Sequence, residues 1–149
     1  MTSWVVADSS IFIATVVRDT QTIHAEALIA MWTQQRFRIA APYLFRYEVT
    51  STIRKHIARG TLLLDTGREA IKSLNAYPIE YFTDDDLLDR GFELATQYGR
   101  STAYDSFYLA LAERLKCDFW TGDLKLFNAV SASLTGVKWS GNFPIPPNP

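Results

Sequence analysis

The stretch from Ser101 to Asp123 constrains the fold most, because it couples an apolar helical stripe to a short apolar strand that stops at a glycine and an acid. On a 3.6-residue wheel Tyr104, Phe107, Tyr108, Leu111 and Leu115 fall on one face, with Ala110 and Ala112 beside them, so a helix here lies close against a sheet. Burying Tyr108, Leu111 and Leu115 contributes roughly 1.5–3 kcal/mol each. Phe119-Trp120-Thr121 then reads as a strand ended by Gly122-Asp123. A helix that leads into a neighbouring strand returns antiparallel to it, so the helix start and the strand end meet at one sheet edge. Asp105, one turn into the helix, and Asp123 are therefore expected close together.

The rest of the chain repeats this alternation. Trp4-Val5-Val6-Ala7 is a continuous apolar run, too short for a helix and suited to a strand buried on both faces; it ends in Asp8-Ser9-Ser10 before a helix begins at Ile11. Thr22 is placed to cap the next helix, which carries Ala25, Leu28, Ile29 and Trp32 at helical spacing. Phe37 to Ala41 is a second strand, and Pro42 fits the first position of a helix that runs to Arg59 and stops at Gly60. On it Phe45, Val49, Thr52, Ile53 and His56 share a face bordered by Glu48, which lies about six residues or roughly 9 Å of rise past Pro42. Leu62 to Leu74 reads as a helix and Pro78 to Phe82 as a third strand. Thr83 can cap a further helix with Asp84, Asp85 and Asp86 in its first turn. After Asp123 come a helix from Leu124 to Val130 and an edge strand from Val137 to Trp139. This pattern predicts an α/β fold: a single domain over residues 1–141 with a mostly parallel central sheet flanked by helices on both faces, and a proline-rich extended tail at 142–149.

At 149 residues the chain buries a core without staples, and its 48% hydrophobic and 21% charged content is that of a soluble globular protein. A net charge of −1 offers no global basic field, so any nucleic-acid contact relies on a local patch or on metal ions. Cys117 stands alone, the start lacks a basic leader, and no apolar run reaches the roughly 18 residues of a membrane span, which predicts a reducing, cytoplasmic setting with no membrane contact.

Asp8, Glu48, Asp105 and Asp123 all fall at the carboxyl edge of the expected sheet, where open α/β folds bind ligands. Other acids have local partners: Glu69 with Lys72, Asp86 with Arg90 and Glu113 with Lys116 are helix-surface spacings, whereas Glu48 and Asp105 have no Lys or Arg three or four residues away. Two carboxylates about 4 Å apart repel by roughly 4 kcal/mol at an effective dielectric of about 20. A bound divalent cation offsets this more simply than shared protons. With no thiolate, and with His24 and His56 distant in sequence, all-oxygen ligation suits Mg²⁺ or Mn²⁺ and hydrolysis of phosphodiesters by an activated water. Taken singly, each acid has a plainer reading. Asp8 is an N-cap, Thr102 and Asp105 a capping box, Glu48 a solvated helix residue and Asp123 a turn acid. Their convergence favours the site. Ser9, Ser10 and Thr121 are hydroxyls that can orient carboxylates, and His56 reads as a core histidine.

The segments Val5-Val6-Ala7-Asp8-Ser9-Ser10, Tyr47-Glu48-Val49, Tyr104-Asp105-Ser106-Phe107-Tyr108-Leu109-Ala110-Leu111-Ala112 and Thr121-Gly122-Asp123, in that order, resemble a PIN domain, and specifically the small VapC-type toxins of toxin–antitoxin pairs. The resemblance spans the chain up to the proline tail. It implies a parallel sheet between helices, metal-dependent endoribonuclease activity with Mg²⁺ or Mn²⁺, and a homodimer held by an antitoxin. Asp8, Glu48, Asp105 and Asp123 match its metal-binding acids, with Ser10 and Thr121 in support.

The expectation is thus an RNA endonuclease in which Asp8, Asp105 and Asp123 ligate metal and Glu48 holds a second metal or positions the attacking water. Arg46, Arg54, Lys55 and Arg59 either steer phosphates or form a solvated face. A phosphoacceptor receiver domain needs an acidic pair after the first strand, which Asp8-Ser9-Ser10 lacks. A binding-only PIN-like module is marked by lost acids, all of which are intact here, and a housekeeping PIN nuclease is marked by the lack of an adjacent antitoxin gene.

Overall fold

Val5, Val6 and Ala7 have no polar side chain to offer water on either face, and in the computed structural model, which describes residues 2–147, they form the buried centre of β1 (Trp4–Ala7). Met1 and the last two residues of the tail lie outside the described residues. Four further strands complete the sheet: β2 (Arg38–Pro42), β3 (Ile79–Phe82), β4 (Phe119–Thr121) and β5 (Val137–Trp139). They run in the order β3-β2-β1-β4-β5 with every pairing parallel. Val5 lies opposite Ile39, and Ala7 opposite Trp120.

The connections are α1 (Ser9–Ile13) and α2 (Thr22–Gln34) after β1, α3 (Leu44–Ala58) and α4 (Leu64–Ala76) after β2, α5 (Asp85–Gln97) and α6 (Tyr104–Leu115) after β3, and α7 (Leu124–Val130) after β4. Right-handed crossovers put α1 to α4 on one face and α5 to α7 on the other, because the chain first steps from β1 towards β3 and then returns past β1 to β4 and β5. The core between the layers is closed by Phe12, Trp32, Phe45, Ile53, Tyr108, Leu111, Phe119 and Leu126, all almost fully buried. Where the order reverses, between β1 and β4, the carboxyl ends of the strands open a crevice.

Several local expectations are corrected by these contacts. Pro42 ends β2 rather than opening a helix: it faces Phe82, and the missing donor of the proline is supplied one residue on, where the Tyr43 N–H donates to the Phe82 carbonyl at 2.9 Å. Thr22 is the first residue of α2, and its hydroxyl ties down the preceding loop, accepting from the Asp19 N–H at 2.9 Å and donating to the Ala14 carbonyl at 2.7 Å. Asp84, not Thr83, caps α5, accepting from the Leu87 N–H at 3.1 Å. Tyr104 is 57% exposed, because the first turn of α6 stands at the sheet edge with no strand beneath it; the buried stripe starts at Ser106 and Tyr108. Past β5 a short 3-10 turn (Ser140–Asn142) leads to Phe143, whose ring meets Trp120 edge-on at 5.8 Å and whose carbonyl bonds His24 Nδ1 at 2.8 Å.

Candidate active site

Asp8 is the first residue beyond β1, and its extended backbone turns the carboxylate under α1, where Oδ1 accepts from the Ser10 N–H at 2.9 Å. The N-cap reading therefore holds, but the carboxylate does more. Its Oδ2 accepts from the Thr121 hydroxyl at 2.8 Å, which binds the ends of β1 and β4 together. The Thr121 oxygen in turn accepts from the Asp123 N–H at 3.0 Å, so one buried hydroxyl sets the spacing of two acids. Ser10 makes a parallel link, its Oγ accepting from the Gly122 N–H at 2.9 Å, and a side chain at Gly122 would bring a Cβ to 3.0 Å from that oxygen. Burial pushes the Asp8 carboxyl above its ordinary pKa, partly offset by the bonds from Ser10 and Thr121.

Glu48 reaches the same crevice from the second turn of α3. Its Oε1 accepts a short hydrogen bond, 2.5 Å, from the hydroxyl of Tyr108, whose ring is stacked on Phe119 at 5.6 Å in the core. Burial, with the nearby charges of Asp8 and Asp105, raises the Glu48 pKa to about 7 despite that bond. The Tyr108 hydroxyl is pushed well above its usual value by burial and by the charges of Asp8 and Glu48, so it remains a donor. Asp105 forms no capping box: α6 starts after Ala103 without a side-chain cap, and the carboxylate meets Arg100 Nη2 at 3.4 Å instead. Asp123 caps α7, its Oδ1 accepting from the N–H groups of Lys125 and Leu126 at 2.9 and 3.2 Å.

All four acids line one cleft of about 360 Å³, together with Ser9, Ser10 and Gly122. Among the described residues no three of them converge closely enough to share one ion. Each carboxylate is held by its own partner: Thr121 for Asp8, Tyr108 for Glu48, Arg100 for Asp105 and the Lys125 N–H for Asp123. The donor set fits a hard divalent cation all the same: it is all oxygen, and the mutual repulsion of Asp8, Glu48 and Asp105 leaves a negative potential that such an ion relieves. His56 is not a core histidine. It stands half-buried on the cleft wall with Nδ1 2.9 Å from the Thr61 hydroxyl, because α3 turns that edge towards the cleft instead of the sheet.

Two contributors escaped sequence reasoning. Helical spacing gives Tyr108 a packing role alone, although a tyrosine buried that deeply needs a partner for its hydroxyl, and that requirement is the signal that finds it. Arg100 lies five residues before Asp105, outside the helical spacings that detect ion pairs, because the two sit on either side of a loop. The same limitation affects other pairs. Arg90 binds Glu93 and Glu113 rather than Asp86, and Glu113 thereby takes Arg90 rather than Lys116. Arg54, Lys55 and Arg59 are exposed, whereas Arg46 lies over the rings of Tyr43 and Tyr81. A second cavity, about 410 Å³, opens by Leu94, Leu109 and Phe119 at the amino end of β4 and β5, away from the acids.

A sequence-family profile described as the PIN domain matches residues 5–132, a span that contains all four acids. The chain belongs to the PIN-domain family. Among curated proteins this PIN domain is 31% identical over 122 residues to the VapC ribonuclease Mb0985 of Mycobacterium bovis and to ribonuclease VapC9 of Mycobacterium tuberculosis, covering 82% of this chain and 87% of each relative. Among solved structures it is similar to a toxin–antitoxin complex from Klebsiella pneumoniae, with TM-score 0.66 and 18% identity over 91% of this chain and 97% of that one. It is equally similar to PAE2754 from Pyrobaculum aerophilum, with TM-score 0.66 and 19% identity over 95% and 93%. At such identities these two likenesses establish the fold, a parallel PIN sheet between helical layers. No helix among the described residues is long and apolar enough to cross a membrane.

Proposed function

We propose that this PIN domain is the ribonuclease toxin of a toxin–antitoxin pair, an Mg²⁺- or Mn²⁺-dependent endoribonuclease acting in the cytoplasm and carried by residues 1–141. The observation that carries the reading is the single cleft lined by Asp8, Glu48, Asp105 and Asp123 at the reversal point of the sheet, in a chain related to named VapC ribonucleases. When bound, a divalent cation supplies a more acidic water and neutralises charge on the phosphate oxygens. Asp8, Asp105 and Asp123 would hold it once drawn together by the ion, with Thr121 fixing Asp8 relative to Asp123 and Ser10 bracing the Gly122 turn. Glu48, whose Oε1 is held by the Tyr108 hydroxyl, would position the attacking water or hold a second cation. An antitoxin is the expected protein partner. Leu88 and Phe92, 50% and 69% exposed one turn apart on α5, support a homodimer contact.

The test is cleavage of total RNA by the purified protein with Mg²⁺ or Mn²⁺, beside Asp105→Asn and an EDTA control. Discrete cuts that vanish in both controls are expected. Cleavage that persists in EDTA or in Asp105→Asn refutes the assignment.

A further inference from the structure

Arg100 is, among the described residues, the one basic side chain in salt-bridge contact with any of the four cleft acids. Its backbone is locked. Gly99, at φ +62°, ends α5 with its N–H on the Thr96 carbonyl at 3.3 Å, and the Arg100 N–H closes on the Ala95 carbonyl at 2.8 Å, which makes a Schellman ending. Its side chain, by contrast, is lightly held. Arg38, Arg90 and Arg114 each grip a carboxylate through two nitrogens at 2.6–2.8 Å, whereas Arg100 reaches Asp105 through Nη2 alone at 3.4 Å. A guanidinium carries five N–H donors, so most of its capacity is unspent, and its side chain is 27% exposed beside the cleft.

A substrate phosphate entering a cleft of four carboxylates meets repulsion, and a planar cation anchored beside Asp105 can counter it. We propose that Arg100 is a phosphate-binding residue of this cleft, turning the donors that its contact with Asp105 leaves free to an RNA phosphate when Asp105 engages a divalent cation. The inference rests on the nuclease reading above. It makes Arg100 a substrate-binding group rather than a support for Asp105, and the two roles differ in what they do to metal and RNA affinity.

The experiment compares Glu48→Gln, used to suppress cleavage, with Glu48→Gln/Arg100→Ala. Calorimetric titration with Mn²⁺ alone is followed by fluorescence anisotropy of a mixed-sequence 20-nucleotide single-stranded RNA over a salt series. Wild-type protein and Arg100→Ala, without the Glu48 change, are titrated with Mn²⁺ in parallel. The expected result is Mn²⁺ binding in the Arg100→Ala proteins at least as tight as in their parents, with RNA binding in Mn²⁺ weakened about tenfold. The plot of log affinity against log salt should also be shallower by about 0.7, the loss of one phosphate contact on a single strand. Mn²⁺ affinity that falls tenfold with Arg100→Ala, or RNA affinity and salt slope that do not change, overturns the proposal and leaves Arg100 as a structural partner of Asp105. Wild-type protein that binds no Mn²⁺ overturns the nuclease reading itself, and this inference with it.

Discussion

Glu48 shows how one residue's charge state is set by its surroundings. Its folded pKa is about 7, above the ordinary carboxyl value, because burial and two neighbouring acids oppose ionisation more than the Tyr108 bond favours it. A raised folded pKa means that the folded state holds the proton more tightly than the unfolded chain. This contribution to stability is therefore complete below about pH 4.5 and is lost as pH rises through about 7. Urea unfolding in EDTA should accordingly show stability falling by about 2–3 kcal/mol across that window, and Glu48→Gln should flatten it. Tyr108→Phe keeps the stacked ring but deletes the hydroxyl that lowers the Glu48 pKa, so the midpoint of the fall should move to higher pH. A midpoint that stays in place assigns the window to another group. The side-chain identities at this site were legible in the sequence. The Tyr108 and Arg100 contacts were not, since residues 60 and 5 positions apart in the chain meet only through the packing of α3, α5 and α6.

At the scale of elements, helix pairs are set by close approach at two glycines. A Cβ on Gly91 of α5 would lie 2.3 Å from Phe107 Cδ1 and 2.8 Å from its Cε1, so the stiff ring of α6 must move as a whole. On Gly67 of α4 the Cβ would lie 2.5 Å from Ile57 Cδ1, the tip of a flexible side chain that can rotate away. Gly91→Ala should therefore destabilise the protein by about 1–3 kcal/mol through overpacking. Gly67→Ala should stay within about 1 kcal/mol of wild type, because the gain in helix propensity of about 0.5–1 kcal/mol offsets a cheaper rearrangement. Thermal unfolding of the pair checks this. Equal losses refute the distinction between ring and aliphatic tip. Both glycines are plain in the sequence, yet neither reads there as a contact point, because the partner helix is known only once the layers are assembled.

For the whole molecule, the order β3-β2-β1-β4-β5 turns acids from distant parts of the chain into one site. Divalent cation binding to the folded state alone should then stabilise it by mass action, by about 2.7 kcal/mol at a hundredfold excess over Kd. With a domain of this size that is a rise in Tm of roughly 5–10 °C. Asp105→Asn should abolish most of the Mg²⁺- or Mn²⁺-induced rise while changing metal-free stability by no more than about 1 kcal/mol, since the Arg100 pair it breaks is partly solvated. Differential scanning fluorimetry with and without metal decides the matter, and an undiminished rise in the variant refutes this cleft as the binding place.

By itself the sequence determined the alternation of strands and helices, the parallel sheet, and the four acids at strand ends and in the first two turns of helices. Those features follow from local periodicity, turn residues and the rule that a crossover is right-handed. Only the tertiary structure decided that Pro42 closes a strand, that His56 faces the cleft, and that Tyr108 and Arg100 each hold one of the acids. The physical reason is the same in each case. A hydrogen bond or ion pair is chosen by distance in space, and chain spacing reports that distance only within a single turn or helix.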